Sequence, residues 1–290
     1  MDRTKTVACL SLVLLASCSR APRIVVGSKN FTEQIVLGEI LAQQIERRMH
    51  VRVERQLNLG GTLLAHEALV KGDIDLYPEY TGTGLTAVLK QAPQSNPEAV
   101  LGLVRDAYKR WKLEWLTPLG FNDTFAMIVR GDTARQEHLA NLSDAAARRA
   151  WKMGVGYEFK QRADGLDGFL AAYRMRTDGD VVTMDLGLLY SALQSRKVDL
   201  IAANSTDGLA SALDVTFLED DRHFFPPYQC AVVIRDDTLQ RFPELRATLE
   251  ELSGKLSDSV MRRLNYTVDG QHRAPAEVAA DYLKALVVNR

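Results

Sequence analysis

Four short segments concentrate the residue types that hold small molecules. They are Gly27-Ser28-Lys29-Asn30-Phe31-Thr32-Glu33-Gln34, Tyr77-Pro78-Glu79-Tyr80-Thr81-Gly82-Thr83, Ser205-Thr206-Asp207-Gly208 and Phe225-Pro226-Pro227-Tyr228. Ring faces attract cations, and a lysine or arginine holds a carboxylate through charge-assisted hydrogen bonds. Each segment falls at a strand end or loop, where a cleft would form, and Asn30, Asn122, Asp123 and Asp207 are expected along it. Asp207 has two readings: it faces a ligand cation, or it caps a helix starting at Thr206-Asp207-Gly208. The parts of a catalyst are missing. Five histidines (His50, His66, His138, His223, His272) are scattered without metal-ligand spacing, and no Gly-x-Ser-x-Gly elbow or phosphate-binding loop occurs. Glu79 beside Tyr80 has no visible partner as a general base. The pattern is that of a binder that returns its ligand unchanged, with no cofactor and no metal.

Positioning these segments takes alternating strands and helices. Ile24-Val25-Val26 reads as a strand, and Phe31 to Met49 as a helix with Ile35, Ile40, Leu41 and Ile45 near one face. Val51 to Leu57 is a second strand, Gly60-Gly61-Thr62 opens a helix to about Lys71, and Ile74 to Tyr77 is a third strand. This order predicts a doubly wound α/β unit with mainly parallel strands, binding at their C-terminal ends. A second unit follows Trp115, with strands at Phe125 to Val129, Lys152 to Val155, Val181 to Thr183 and Val198 to Ala203. The units resemble each other: Lys71-Gly72-Asp73-Ile74-Asp75-Leu76 aligns with Ser195-Arg196-Lys197-Val198-Asp199-Leu200, and Val26-Gly27 with Val155-Gly156. A strand from Ala231 to Ile234 and helices through Leu286 return to the first unit.

Two half-similar units in one chain predict a two-lobed clamp, each lobe a sheet flanked by helices, with the ligand cleft between them. Lobe I is expected over 24–121 plus 225–290 and lobe II over 122–224. The crossings fall near Leu119 to Asn122 and near Arg222 to Pro226. No Gly/Ser-rich or Pro-rich linker separates the units, which fits a hinge.

The N-terminus marks an exported chain. Arg3 and Lys5 precede the apolar run Val7 to Ala16, which is shorter than the roughly 20 residues a spanning helix needs. It ends in Leu15-Ala16-Ser17-Cys18, which looks like a lipobox: 1–17 a signal peptide, Cys18 the lipidated residue, 18–23 a linker. A plain secretory signal with an incidental Cys18 is the alternative. Cys9 lies in the signal, which leaves Cys230 without a partner, and its flanking Ala231-Val232-Val233-Ile234 predicts a buried strand thiol. A net charge of −1 argues against a nucleic-acid surface.

On the four segments, the sequence resembles the substrate-binding proteins of glycine betaine, carnitine and choline ABC importers, which have a type II periplasmic-binding-protein fold. The likeness runs from about Ile24 to Leu286. It implies an aromatic box for a quaternary ammonium, at Tyr80, Phe125, Asn204 and Tyr228, and a carboxylate site at Lys29, Thr83 and Arg162. Two box positions depart from the family: Phe125 lacks a tyrosine hydroxyl, and Asn204 puts an amide where a ring is expected. The resemblance implies a small zwitterionic or cationic ligand, a permease and an ATPase as partners, membrane attachment through the lipid anchor alone, and a cell-envelope location. An ergothioneine-like ligand or an amino acid is an alternative, since Lys29 and Arg162 hold any carboxylate. So is a sensor that presents its bound state to a signalling partner.

Overall fold

The computed structural model describes residues 23–288; the expected signal peptide, lipidated Cys18 and most of the expected 18–23 linker fall outside the described residues. Ten strands run in chain order: β1 Arg23–Gly27, β2 Arg52–Gln56, β3 Leu76–Tyr80, β4 Leu113–Trp115, β5 Phe125–Arg130, β6 Met153–Val155, β7 Val182–Thr183, β8 Leu200–Asn204, β9 Val215–Leu218 and β10 Cys230–Arg235. They form two five-stranded sheets, β2-β1-β3-β10-β4 and β7-β6-β8-β5-β9. β1 is parallel to β2 and β3, whereas β10 is antiparallel to β3 and β4. β6 is likewise parallel to β7 and β8, and β5 antiparallel to β8 and β9. In each sheet the reversed strand is the one entered after the chain crosses from the other lobe.

The helix Thr32–Met49 buries Val36, Leu37, Ile40, Leu41 and Ile45, a stripe at three- and four-residue spacing. It ends where His50 turns left-handed and its N–H reaches the Glu46 carbonyl. The C-terminal helices pack back on it: Gln44 Nε2 donates to the Thr248 carbonyl, and Arg47 Nη1 to that of Leu283. Among the described residues no helix is long and apolar enough to cross a membrane.

The internal repeat is geometrical. Gly72 and Arg196 both take a left-handed turn, at φ 86° and 59°. Asp75 N–H then donates to Val25 O at 2.8 Å, and Asp199 N–H to Lys152 O at 2.7 Å. The third strand of each unit, β3 and β8, thus docks on the first, β1 and β6, in the same way. β3 and β8 end on Tyr80 and Asn204, which pair with the first residues of the reversed strands, Cys230 and Phe125.

Several boundaries differ from expectation. The third strand is Leu76–Tyr80, not Ile74 to Tyr77, and so passes through Pro78. Thr81 N–H donates toward β10, and by two-residue alternation the Pro78 nitrogen faces the β1 side. Pairing with β1 occurs only at Leu76, so Pro78 removes no ladder bond. β4 and β9 were not expected; they are short, and only their sheet partners define them. The crossings run side by side, with Asp123 N–H donating to Tyr228 O and Cys230 N–H to Phe121 O. Phe225 still stacks on Phe169 of the second lobe, centroids 6.2 Å apart, so the return crossing begins at Pro226 rather than Arg222.

Candidate functional site: the cleft between the lobes

The strand ends and the crossings enclose a cleft of about 430 Å³, a volume suited to a small ligand. The turn after β1 supplies Lys29 and Asn30, β3 supplies Tyr80, and the short helix Thr81–Thr83 that follows it supplies Thr83. The crossings supply Asp123 and Tyr228, while β5 supplies Phe125 and the end of β8 supplies Asn204 and, beyond it, Asp207. All nine line the cleft.

Arg162 and Asn122 do not, contrary to expectation. Arg162 is buried behind the wall and chelates Asp164: Nε to Oδ1 at 2.9 Å and Nη2 to Oδ2 at 2.6 Å. Its Nη1 also donates to Thr83 Oγ1 at 3.0 Å. Burial opposes the charge of this guanidinium, yet Asp164 raises its pKa on balance. Asn122 spends its side chain on the hinge, its Oδ1 accepting from Tyr228 N–H at 2.6 Å.

Lys29 is also committed within the protein. Its Nζ lies 2.6 Å from Glu79 Oε1, a pair with side chains 3% and 0% exposed. The same ammonium sits 4.6 Å from the Tyr80 ring centroid and 5.8 Å from that of Phe31. Arg162 Cζ stands 5.0 Å from the Phe125 centroid and 5.6 Å from that of Tyr228. Every expected box ring therefore already faces a protein cation, and a ligand cation would need its other face. Phe125 meets Tyr228 edge-on at 5.6 Å and Phe159 at 4.9 Å, which fixes the rings in place. Asn204 brings its amide to the cleft at the site equivalent to Tyr80.

Of the two readings of Asp207, the cap is not made: it gives no side-chain cap to Leu209–Ala212. Asp207 Oδ2 instead accepts from Asn204 N–H at 3.1 Å and Tyr190 Oη at 3.2 Å. Burial pushes its carboxyl up to about 7.

Sequence reasoning missed Phe31 and Glu33, although both stand inside a segment it singled out, and it missed Glu158 and Phe159. It also missed Tyr190, Asn265 and Asp269, brought to the cleft by helices whose sequence carries no binding signal. Glu158 bridges the lobes: Thr62 N–H donates to its Oε1 at 2.5 Å and Thr62 Oγ1 to its Oε2 at 3.0 Å. Although burial opposes its charge, Lys29 and the Thr62 N–H hold its carboxyl below the ordinary range.

Two α/β lobes joined by paired crossings around an aromatic-lined cleft define a solute-binding clamp. The chain belongs to the OpuAC family, the substrate binding domain of ABC-type glycine betaine transport system, which it matches over residues 22–285. It is 34% identical over 265 residues to the ergothioneine transport permease/ergothioneine binding protein EgtU of Helicobacter pylori (strain G27), covering 91% of this chain and 47% of that protein. The chain thus spans about half the length of that relative. It is 33% identical over 285 residues to the carnitine transport binding protein OpuCC of Listeria monocytogenes serotype 1/2a (strain 10403S), covering 94% of this chain and 92% of that one. A solved glycine betaine/carnitine/choline ABC transporter structure superposes with TM-score 0.77 at 34% identity, covering 90% of this chain and 98% of that one.

Proposed function

We propose that the chain is the extracytoplasmic, Cys18-anchored solute-binding component of an ABC importer that captures a quaternary-amine solute and delivers it to a permease. The observation that carries this reading is the interlobe cleft, in which Tyr80, Phe125 and Tyr228 converge from two lobes and a crossing. A quaternary ammonium has no strong hydrogen-bond donor, so ring faces are its natural holders, each worth about 0.5–2 kcal/mol. Asn204 adds an amide to this box. Thr83 serves a ligand carboxylate from the wall, with Arg162 acting from behind by orienting its hydroxyl, and Lys29 contributes to the extent that it shares its ammonium between Glu79 and the ligand. Asn30, Asp123 and Asp207 complete the lining. The lobes close over the ligand, and the closed form docks on the permease.

A second reading is an ergothioneine-like zwitterion. Asn204 favours it, because an amide in place of a ring suits a ligand with hydrogen-bonding atoms beside its cation. The similarity to EgtU points the same way. Calorimetric titration of the protein lacking residues 1–17 and carrying Ser at Cys18 separates the two, using glycine betaine, carnitine, choline, ergothioneine and amino acids. Micromolar binding of any quaternary amine supports the class, and rank order picks the ligand. Heat from amino acids alone would overturn it.

A further inference from the structure

The cleft wall beside the aromatic box contains an arrangement that counts protons. Thr206 Oγ1 lies 2.6 Å from Glu33 Oε2 and 2.7 Å from Asp123 Oδ1. A threonine hydroxyl has one proton to donate. It can satisfy one carboxylate; at hydrogen-bond distance from the second, that oxygen must itself carry a proton and donate to Thr206. Both contacts are therefore favourable only when Glu33 and Asp123 together hold one proton. The remaining bonds agree. Glu33 also accepts from Tyr80 Oη at 2.7 Å and Asn265 Nδ2 at 2.9 Å, while Asp123 Oδ1 receives only the Thr206 N–H besides, at 3.3 Å. Among the described residues no lysine or arginine pairs with either carboxyl.

The surroundings favour the proton. Glu33, Asp123 and Thr206 are 3%, 7% and 1% exposed. Burial raises the Glu33 pKa, and burial followed by repulsion from Glu33 raises that of Asp123 further. The groups facing the pair are few. Lys29 attracts it but is held by Glu79, and β10 contributes the buried Cys230 thiol. The loop after β8 contributes Asp207, which Tyr190 bonds. From the helix Asp258–Asp269 come Arg262, bonded to the Ser205 carbonyl, and Asp269, bonded to Thr32. That helix also brings Asn265, whose buried Oδ1 has no hydrogen-bond partner among the described residues.

The pair is wired to the box. Tyr80, whose hydroxyl donates to Glu33, is one of the rings, and Asp123 stands two residues before Phe125. Both Glu33 and Asp123 line the cleft. The bridge also lies against the crossings, since Asp123 N–H donates to Tyr228 O.

We propose that Glu33 and Asp123 share one proton through Thr206 and that the permanent positive charge of an incoming ligand displaces it, so that ligand binding releases a proton. This rests on the quaternary-amine reading of the cleft. In the step, the O–H bond of the shared carboxylic acid breaks heterolytically, the proton leaves to the buffer, and the carboxylate remains as the counter-charge of the ligand. Affinity for a fixed cation then rises with pH across the titration of the pair, by up to about tenfold per pH unit.

Calorimetric titration with choline and glycine betaine at pH 7, in buffers of different ionisation enthalpy, reads the proton directly. The expected result is an apparent enthalpy that depends on the buffer, with release of a substantial fraction of one proton. Asp123→Asn should reduce that dependence well beyond the part that Asp207→Asn removes, since the Asp207 carboxyl titrates in the same range. Infrared spectroscopy of the wild-type protein, which needs no variant to fold, should show a protonated-carboxyl stretch that disappears on adding choline. Binding with the same enthalpy in every buffer would overturn the exchange and leave the ligand class standing. If no quaternary amine gives heat, the exchange fails together with that ligand class, and absence of the infrared band would then remove the shared proton as well.

Discussion

Tyr80 is held at both ends, its hydroxyl by Glu33 and its ring beneath the Lys29 ammonium. Tyr228 is held likewise, its hydroxyl donating to Asp164 Oδ2 at 2.5 Å. Such anchored rings lose little freedom on binding a ligand. Truncation to Ala at either position should weaken binding of a quaternary amine at least about tenfold, as measured by calorimetry. Asn204→Tyr should act oppositely on a compact betaine, restoring a ring at the position equivalent to Tyr80 and tightening binding about two- to thirtyfold. Asp207 sets a pH dependence. Its carboxyl titrates near 7 in the fold against a usual 3.8, so the folded state holds the extra proton between those values. Stability therefore falls as pH rises from about 4 to about 7. Asp207→Asn should flatten thermal stability across that window, with Glu33 and Asp123 leaving a residual slope of the same sign.

At the scale of elements, the helix Thr62–Lys71 has no side-chain cap of its own, since its N-cap is Gly61. Glu158, from the other lobe, caps it instead. A Cβ at Gly61 would stand 2.6 Å from Glu158 Oε1, so the glycine leaves room for the carboxylate. This cap forms only when the lobes are together, which makes its free energy a contribution to closure rather than to either lobe alone. A helix cap is worth about 0.5–2 kcal/mol. Glu158→Ala should therefore weaken ligand binding about two- to thirtyfold and shift small-angle scattering of the liganded protein toward the open form. An unchanged affinity and scattering profile would assign Glu158 to local helix stability only.

For the whole molecule, the ligand joins groups from both lobes, so it must stabilise the closed fold by mass action. At a hundredfold its Kd a ligand contributes about 2.7 kcal/mol. For a chain of this size that corresponds to a rise of roughly 5–10 °C in Tm. A thermal shift of this size with a quaternary amine, lost in Tyr228→Ala, would tie global stability to the cleft. The bonds that close the molecule flank the cleft on two sides. Arg162 reaches Thr83 on one, and Thr206 with Arg262 joins the second lobe to the C-terminal helices on the other.

The sequence by itself determined the alternation of strands and helices, because apolar periodicity and Gly-marked turns are local properties. It also determined the clamp architecture, because the Asp75 and Asp199 units repeat one docking geometry, and most of the cleft lining, because strand ends and crossings gather there in this topology. Tyr80, Phe125, Asn204 and Tyr228 were singled out through the family resemblance of those segments, and all four line the cleft. Tertiary structure alone decided which cations remain available to a ligand. Nothing near Lys29 in sequence shows that Glu79 neutralises it, and Arg162 was legible as a charge but not as the partner of Asp164 behind the wall. Glu33, Asp123 and Thr206 meet from positions more than eighty residues apart, so the geometry from which the shared proton is inferred exists only in the fold. Local pattern fixes where side chains can point; pairing between distant charges depends on distances that only the packed chain sets.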